Sequence, residues 1–312
     1  MKNTTKAYIS ALLYSFIIGF SFMFVKLALT ITSPLDTLAH RFTVAFIAAT
    51  IPVIFGFVKL NISFKNILAL LPLAIFYPAL FFAFQAFGLV YTSSSEAGII
   101  QAAIPIFTMI LASYFLKEYT NTWQKTSVCI SVIGVIYIFV MNGIGAHETS
   151  FIGVILILLS ALSSACYNVL ARKMTKKFKL MDLTYTMTAI GFISFNFIAI
   201  IDHMNKGTIT VYFKPFTNGT FLISILYLGL LSSLLTALLL NYSLSYIEAA
   251  KISVFSNLST LITIIAGVVF LQEQISYYHI VGTLMIVLGV IGTNFLGKKG
   301  IIAKKKNTSL SK

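Results

Sequence analysis

The sequence predicts an all-α integral membrane protein of ten transmembrane helices arranged as two inverted-topology five-helix repeats. Three observations lead there. Of the 312 residues, 58% are hydrophobic and only 10% charged, against about 25% charged in an ordinary soluble domain. Ten apolar stretches, most of them close to the roughly 20 residues that cross a bilayer, succeed one another through short polar connections. Finally, a spaced set of residues recurs about half a chain later.

The stretches run from Ala7 to Leu29, Leu35 to Val58, Ile67 to Val90, Ala97 to Leu116, Ser127 to Met141, Phe151 to Ala171, Leu183 to Ile201, Phe221 to Leu240, Ile252 to Leu271 and Ile275 to Leu296. The fifth is short and is expected to borrow Trp123 to Thr126, with the indole at the membrane interface. The first has too long an apolar region for a cleavable signal peptide. The longest connection, about Asp202 to Thr220, leaves no room for an extramembrane catalytic domain.

Orientation follows from Lys and Arg in the short connections. With the amino terminus inside, 18 of the 22 basic residues fall on the inner side, including Lys59, Lys65, the cluster Arg172 to Lys179, Lys251 and the lysines after Leu296. Both termini are then cytoplasmic, and the membrane is expected to be a bacterial cytoplasmic membrane. The net charge of +14 becomes an orientation signal facing the lipid bilayer, and no nucleic-acid partner is implied. The oligomeric state does not follow.

The recurrence has an offset of 155 residues: Phe115-Leu116-x-Glu118 and Val132-x-Gly134-Val135-Ile136 return as Phe270-Leu271-x-Glu273 and Val287-x-Gly289-Val290-Ile291. Gly19 and Lys26 correspond more loosely to Ala165 and Arg172. This divides the chain into repeats at 1–142 and 150–297, with a basic tail at 298–312. Five spans per repeat is an odd number, so the second copy enters from the other side. Inverted repeats are characteristic of secondary transporters.

The first span, Phe16 to Leu29 with Gly19 and Lys26, resembles the opening motif of EamA-type members of the drug/metabolite transporter superfamily, with Ile18 where those usually carry Trp. Pro34, Arg41 and Ala45 resemble the family's second span, and Pro105 with Leu116-Lys117-Glu118 its fourth. Leu271-Gln272-Glu273 closes the second copy in the same manner, with Thr260 where a Pro is usual. The resemblance implies a secondary active transporter that moves a small-molecule substrate, amino-acid-like or amphipathic, by alternating access, with efflux favoured over uptake. A nutrient or vitamin importer of the same fold, or a channel or scaffold, stays open as an alternative.

Among candidate site residues, Arg41 stands about seven positions inside the second span, roughly 10 Å deep at 1.5 Å per residue. A charge there faces a cavity or a partner, so Arg41 either holds a substrate carboxylate or phosphate, or pairs with Glu96 in an outer gate, or snorkels outward, or ties down the first helix through backbone carbonyls. Glu96 and Lys251 open the fourth and ninth spans at opposite faces and form a candidate pair of gates. Uncharged polar groups gather inside the spans, among them Gln85, Asn196 and Asn241; Gln101, Asn168 and Asn257 are expected to line a substrate cavity walled by Tyr77 and Tyr167. Pro72, Pro78 and Pro105 can kink their helices. Enzyme chemistry is disfavoured. His147-Glu148-Thr149-Ser150-Phe151 is not HExxH, no paired carboxylates lie at membrane depth, and no phosphate-binding GxxxxGK[ST] loop is present. No catalytic residue, metal or cofactor is expected.

Overall fold

The computed structural model describes residues 3–117, 121–143, 151–272 and, beyond them, 277–278, 280–285, 288–289 and 292. Glu118, Glu273, the 147–150 sequence and the 298–312 tail lie outside these. Among the described residues there is no strand and there are nine long helices: α1 (Asn3–Leu29), α2 (Pro34–Ile54), α3 (Phe64–Tyr91), α4 (Ser94–Phe115), α5 (Thr122–Gly143), α6 (Phe151–Met174), α7 (Leu180–Lys206), α8 (Gly219–Tyr246) and α9 (Ala249–Leu271). Eight of them, all but α5, are long and apolar enough to cross a membrane. Helix α5 adds 22 residues starting at Thr122, and the described positions between 277 and 292 are helical.

Helix starts follow local side-chain chemistry. The Ser33 hydroxyl accepts from the Asp36 amide at 3.1 Å, with Pro34 in the first turn where its missing N–H costs nothing. Ser63 caps α3 and Asn218 caps α8 in the same way. Ser93 and Glu96 form a capping box that opens α4. Gly207, at φ 67°, closes α7 in the left-handed region.

Four of the described helices are not continuous; one of them, α9, turns at Val254, between Ala249–Ser253 and Phe255–Leu271. Tyr77, at φ −148° and ψ 115°, interrupts α3 within a π-helical segment, Ile75–Leu80, next to Pro78. A second π segment, Tyr227–Leu235, sits inside α8 and contains no proline. Helix α4 turns at Ala102 and Ala103, just before Pro105.

Packing crosses between the halves of the chain. Helix α1 lies against α8 and α9, α6 against α3 and α4, and α2 against α7. Small and hydroxylated residues make the close contacts, as expected where lipid supplies no hydrophobic drive between helices. A Cβ at Gly19 of α1 would fall 2.5 Å from the Ile262 Cβ of α9, and one at Gly98 of α4 2.8 Å from Thr263 Cγ2. Thr263 Oγ1 donates to the Gly19 carbonyl at 2.9 Å, and Thr260 Oγ1 to the Gly98 carbonyl at 2.8 Å. Outward faces are apolar, with Leu12, Phe16, Ile47, Ile193 and Phe197 exposed for acyl chains.

Candidate functional site

Arg41 is 1% exposed and belongs to the largest enclosed side chains of the molecule. Its Nε donates to Ser233 Oγ at 2.6 Å, and one terminal nitrogen, Nη2, donates to Ser232 Oγ at 2.8 Å and to the Ser232 carbonyl at 3.3 Å. The guanidinium carbon lies 4.0 Å above the Phe82 ring, a cation–π contact. On a regular α-helix consecutive residues point about 100° apart. Ser232 and Ser233, both in the π segment of α8, nevertheless reach one guanidinium, each through a different nitrogen of its fork. Arg41 pairs with these serines and does not reach Glu96.

Phe82 continues into an aromatic cluster. Tyr77 packs on Phe82 at 4.8 Å between ring centroids, on Phe81 at 5.1 Å and on Tyr167 at 4.7 Å. The Tyr77 hydroxyl is buried beside the Thr236 hydroxyl. Tyr167 is fully buried, and its hydroxyl donates to Asn241 Oδ1 at 2.6 Å. Asn241 Nδ2 in turn donates to Thr184 Oγ1 at 3.3 Å. Thr184 lines a cavity of about 100 Å³ between α2, α7 and α8, walled by Ala48, Pro52, Met181, Tyr185 and Leu238. Arg41, Tyr77 and Tyr167 thus come together, and a short polar chain leads from them toward that cavity.

The remaining candidates are placed elsewhere. Gln101 Nε2 donates to Ser160 Oγ at 3.1 Å, and Ser160 to the Phe81 carbonyl, which ties it to the edge of the cluster. Asn168 follows Tyr167 on α6 and leaves its Oδ1 unpartnered. Asn257 reaches across to Ser131 of α5 through Nδ2, with its own Oδ1 unpartnered. Glu96 accepts from the Ser93 amide at 2.9 Å in its capping box, and Lys251 pairs with Glu248 at 2.6 Å. The two gate candidates therefore sit apart, each with a local partner.

Sequence reasoning passed over a second polar cluster at one end of the bundle. His203 Nε2 lies 2.9 Å from Asp36 Oδ1, and Thr32 donates to the other Asp36 oxygen at 2.9 Å. His40 Nε2 is 3.0 Å from the Tyr212 carbonyl, within a collar of Tyr212, Phe213, Phe216 and Phe221 rings. The Tyr212 hydroxyl donates to Asn196 Oδ1 at 3.0 Å. Burial, and after it the Asp36 carboxylate, pushes the Tyr212 hydroxyl up to about 12. Ionisable residues at span borders were the available signal. Ser232 and Ser233 were also missed, since serines inside apolar helices commonly bond their own backbone.

A family model described as the EamA-like transporter family matches residues 5–140 and again 151–295. An uncharacterized transporter, YcxC of Bacillus subtilis (strain 168), is 58% identical over 306 residues, 96% of this chain and 98% of that protein. A probable amino-acid metabolite efflux pump of Salmonella typhimurium (strain LT2) is 24% identical over 289 residues, 90% of this chain and 92% of that protein. One solved crystal structure superposes with a TM-score of 0.69 at 13% identity, covering 95% of this chain and 99% of that one, a likeness of fold alone.

Proposed function

We propose, from the fact that the chain belongs to the EamA-like transporter family, that it is a secondary active transporter exporting a small amino-acid-like or amphipathic metabolite by alternating access. The coarser statement is already secure: this is a multi-pass membrane transporter of that family. The observation that carries the finer reading is Arg41, a guanidinium buried between helices, held by two serines and an aromatic ring instead of a carboxylate. Such a charge is retained at membrane depth for function.

In this reading two inverted five-helix repeats, 1–142 and 150–297, rock about a site shared by both. Recurring helix bounds support it: α3 and α8 both have 28 residues and start 155 residues apart, both contain π segments, and α4 and α9 start 155 residues apart. The crossed packing of α1 on α8 and α9, and of α6 on α3 and α4, suits a pair of repeats that move against each other. Arg41, Tyr77, Gln101, Tyr167, Asn168 and Asn257 would contact substrate, and Glu96 and Lys251 would act at the mouths. Both termini would face the cytoplasm of a bacterial cell.

Proteoliposome counterflow tests the proposal. A carrier loaded with a trial metabolite shows saturable, transient uptake of label, whereas a channel equilibrates without saturation. Arg41→Gln should insert normally and abolish counterflow; wild-type exchange in that variant would overturn the assignment of the site.

A further inference from the structure

We infer that the Arg41 site takes a small monocarboxylate of net charge −1 with an apolar body, one lacking a free ammonium group. The inference rests on the transport reading above for its location and narrows the substrate class.

The starting point is charge balance. The chain has eight acidic residues, Asp36, Glu96, Glu118, Glu148, Asp182, Asp202, Glu248 and Glu273, and every one stands at a span border or in a connection. None of the described ones, Asp36, Glu96, Asp182, Asp202 and Glu248, is a partner of Arg41, and burying a guanidinium without a countercharge is expensive. Serine hydroxyls and a ring face ease that cost without neutralising it. The hydrogen bonds of Arg41 run from Nε and Nη2 only, so the Nη1 edge of the fork keeps its donors for a ligand. Guanidinium donors match a carboxylate in geometry and charge.

Close by, the Tyr77 hydroxyl is a second buried donor, on a residue 4% exposed, with the Thr236 hydroxyl as its neighbour. Phe81, Phe82, Tyr77 and Tyr167 offer ring surfaces for an apolar body. A zwitterion would neutralise Arg41 and add an ammonium with no carboxylate to receive it. The unpartnered Asn168 Oδ1 can accept a hydrogen bond, but an amide supplies no countercharge. A cationic amine would add like charge beside the guanidinium, a repulsion that grows in a low-dielectric interior.

Four probes of matched body or matched charge test this on the purified full chain in lipid nanodiscs. These are 3-phenylpropanoate, phenylalanine, phenethylamine and inorganic phosphate, each titrated against the melting temperature, which rises with any ligand that binds the folded state. The expected result is a saturable rise with 3-phenylpropanoate, at least about tenfold weaker binding of phenylalanine, and no response to phenethylamine or phosphate. Arg41→Gln should lose the response, and Tyr77→Phe should weaken it several-fold. Equal or tighter binding of phenylalanine overturns the inference, as does a response to phosphate equal to that of the carboxylate, or no saturable rise with the carboxylate. The ligand series on the unaltered chain decides the matter even if Arg41→Gln does not fold. Counterflow separates the two readings: exchange of phenylalanine alone would keep the carrier and remove the carboxylate rule, whereas Arg41-dependent binding without any exchange would do the reverse.

Discussion

The two ends of the helix bundle are built differently. One end, where Asp36 meets His203 and His40 meets Tyr212, is cross-tied by buried polar bonds and covered by the rings of Phe213 and Phe216. The other, where the Asn61 amide donates to Asp182 and Arg172 donates to the Leu244 carbonyl, leaves a cavity of about 100 Å³ with apolar walls. Under the proposed orientation the tied end is external and the cavity faces the cytoplasm. The difference teaches where a conformational change would have to act: opening outward requires breaking specific hydrogen bonds, while the cytoplasmic side has room for helices to close.

Three substitutions would break or sharpen that contrast. Asp36→Ala strands His203 and Thr32, and removal of one member of a buried pair costs about 3 kcal/mol. A thermal melt should shift accordingly, and a Cys introduced in place of Phe216 should react faster with an impermeant thiol reagent. Unchanged melting and labelling would show that this end is not held by the pair. Leu238→Trp fills the cavity and should slow counterflow by about tenfold, equivalent to about 1.4 kcal/mol of barrier, with little loss of stability. If exchange keeps its rate, the cavity does not lie on the transport path.

The smallest effect belongs to Tyr212→Phe, which removes one hydroxyl bond to Asn196, about 1 kcal/mol. A pH signature identifies this contribution. The Tyr212 hydroxyl is raised to about 12 in the folded chain from about 10 in an unfolded one, so its neutral form is favoured by folding. Its contribution is complete below pH 10 and is lost as the pH climbs through 12. Stability measured against pH should lose that part of its alkaline fall in the phenylalanine variant.

Much of this was legible in the sequence, for identifiable reasons. Arg41 stood out because a charge inside an apolar run is costly wherever it lies, and Gly19 because helix seams need small residues. The fifth helix took in Trp123, as its short apolar run required. What stayed hidden depended on distance along the chain. The Asp36–His203 contact joins residues 167 apart and the Arg41–Ser232 contact residues 191 apart, and no local pattern marks such pairs. The α3 interruption could be anticipated from Pro78, whereas the one in α8 has no proline to announce it.

That second interruption fixes helical phase. A π segment is a one-residue expansion of the α ladder, so residues beyond Leu235 point in directions offset from those an unbroken helix would give. Deleting a single residue between Tyr227 and Leu235 would remove that extra residue and restore the regular ladder, with the remainder of α8 left in phase. Ser232 and Ser233 would be displaced from the Arg41 guanidinium, while Asn241 would stay opposite the Tyr167 hydroxyl. Within this stretch, chain length bears on the Arg41 contacts as directly as residue type does.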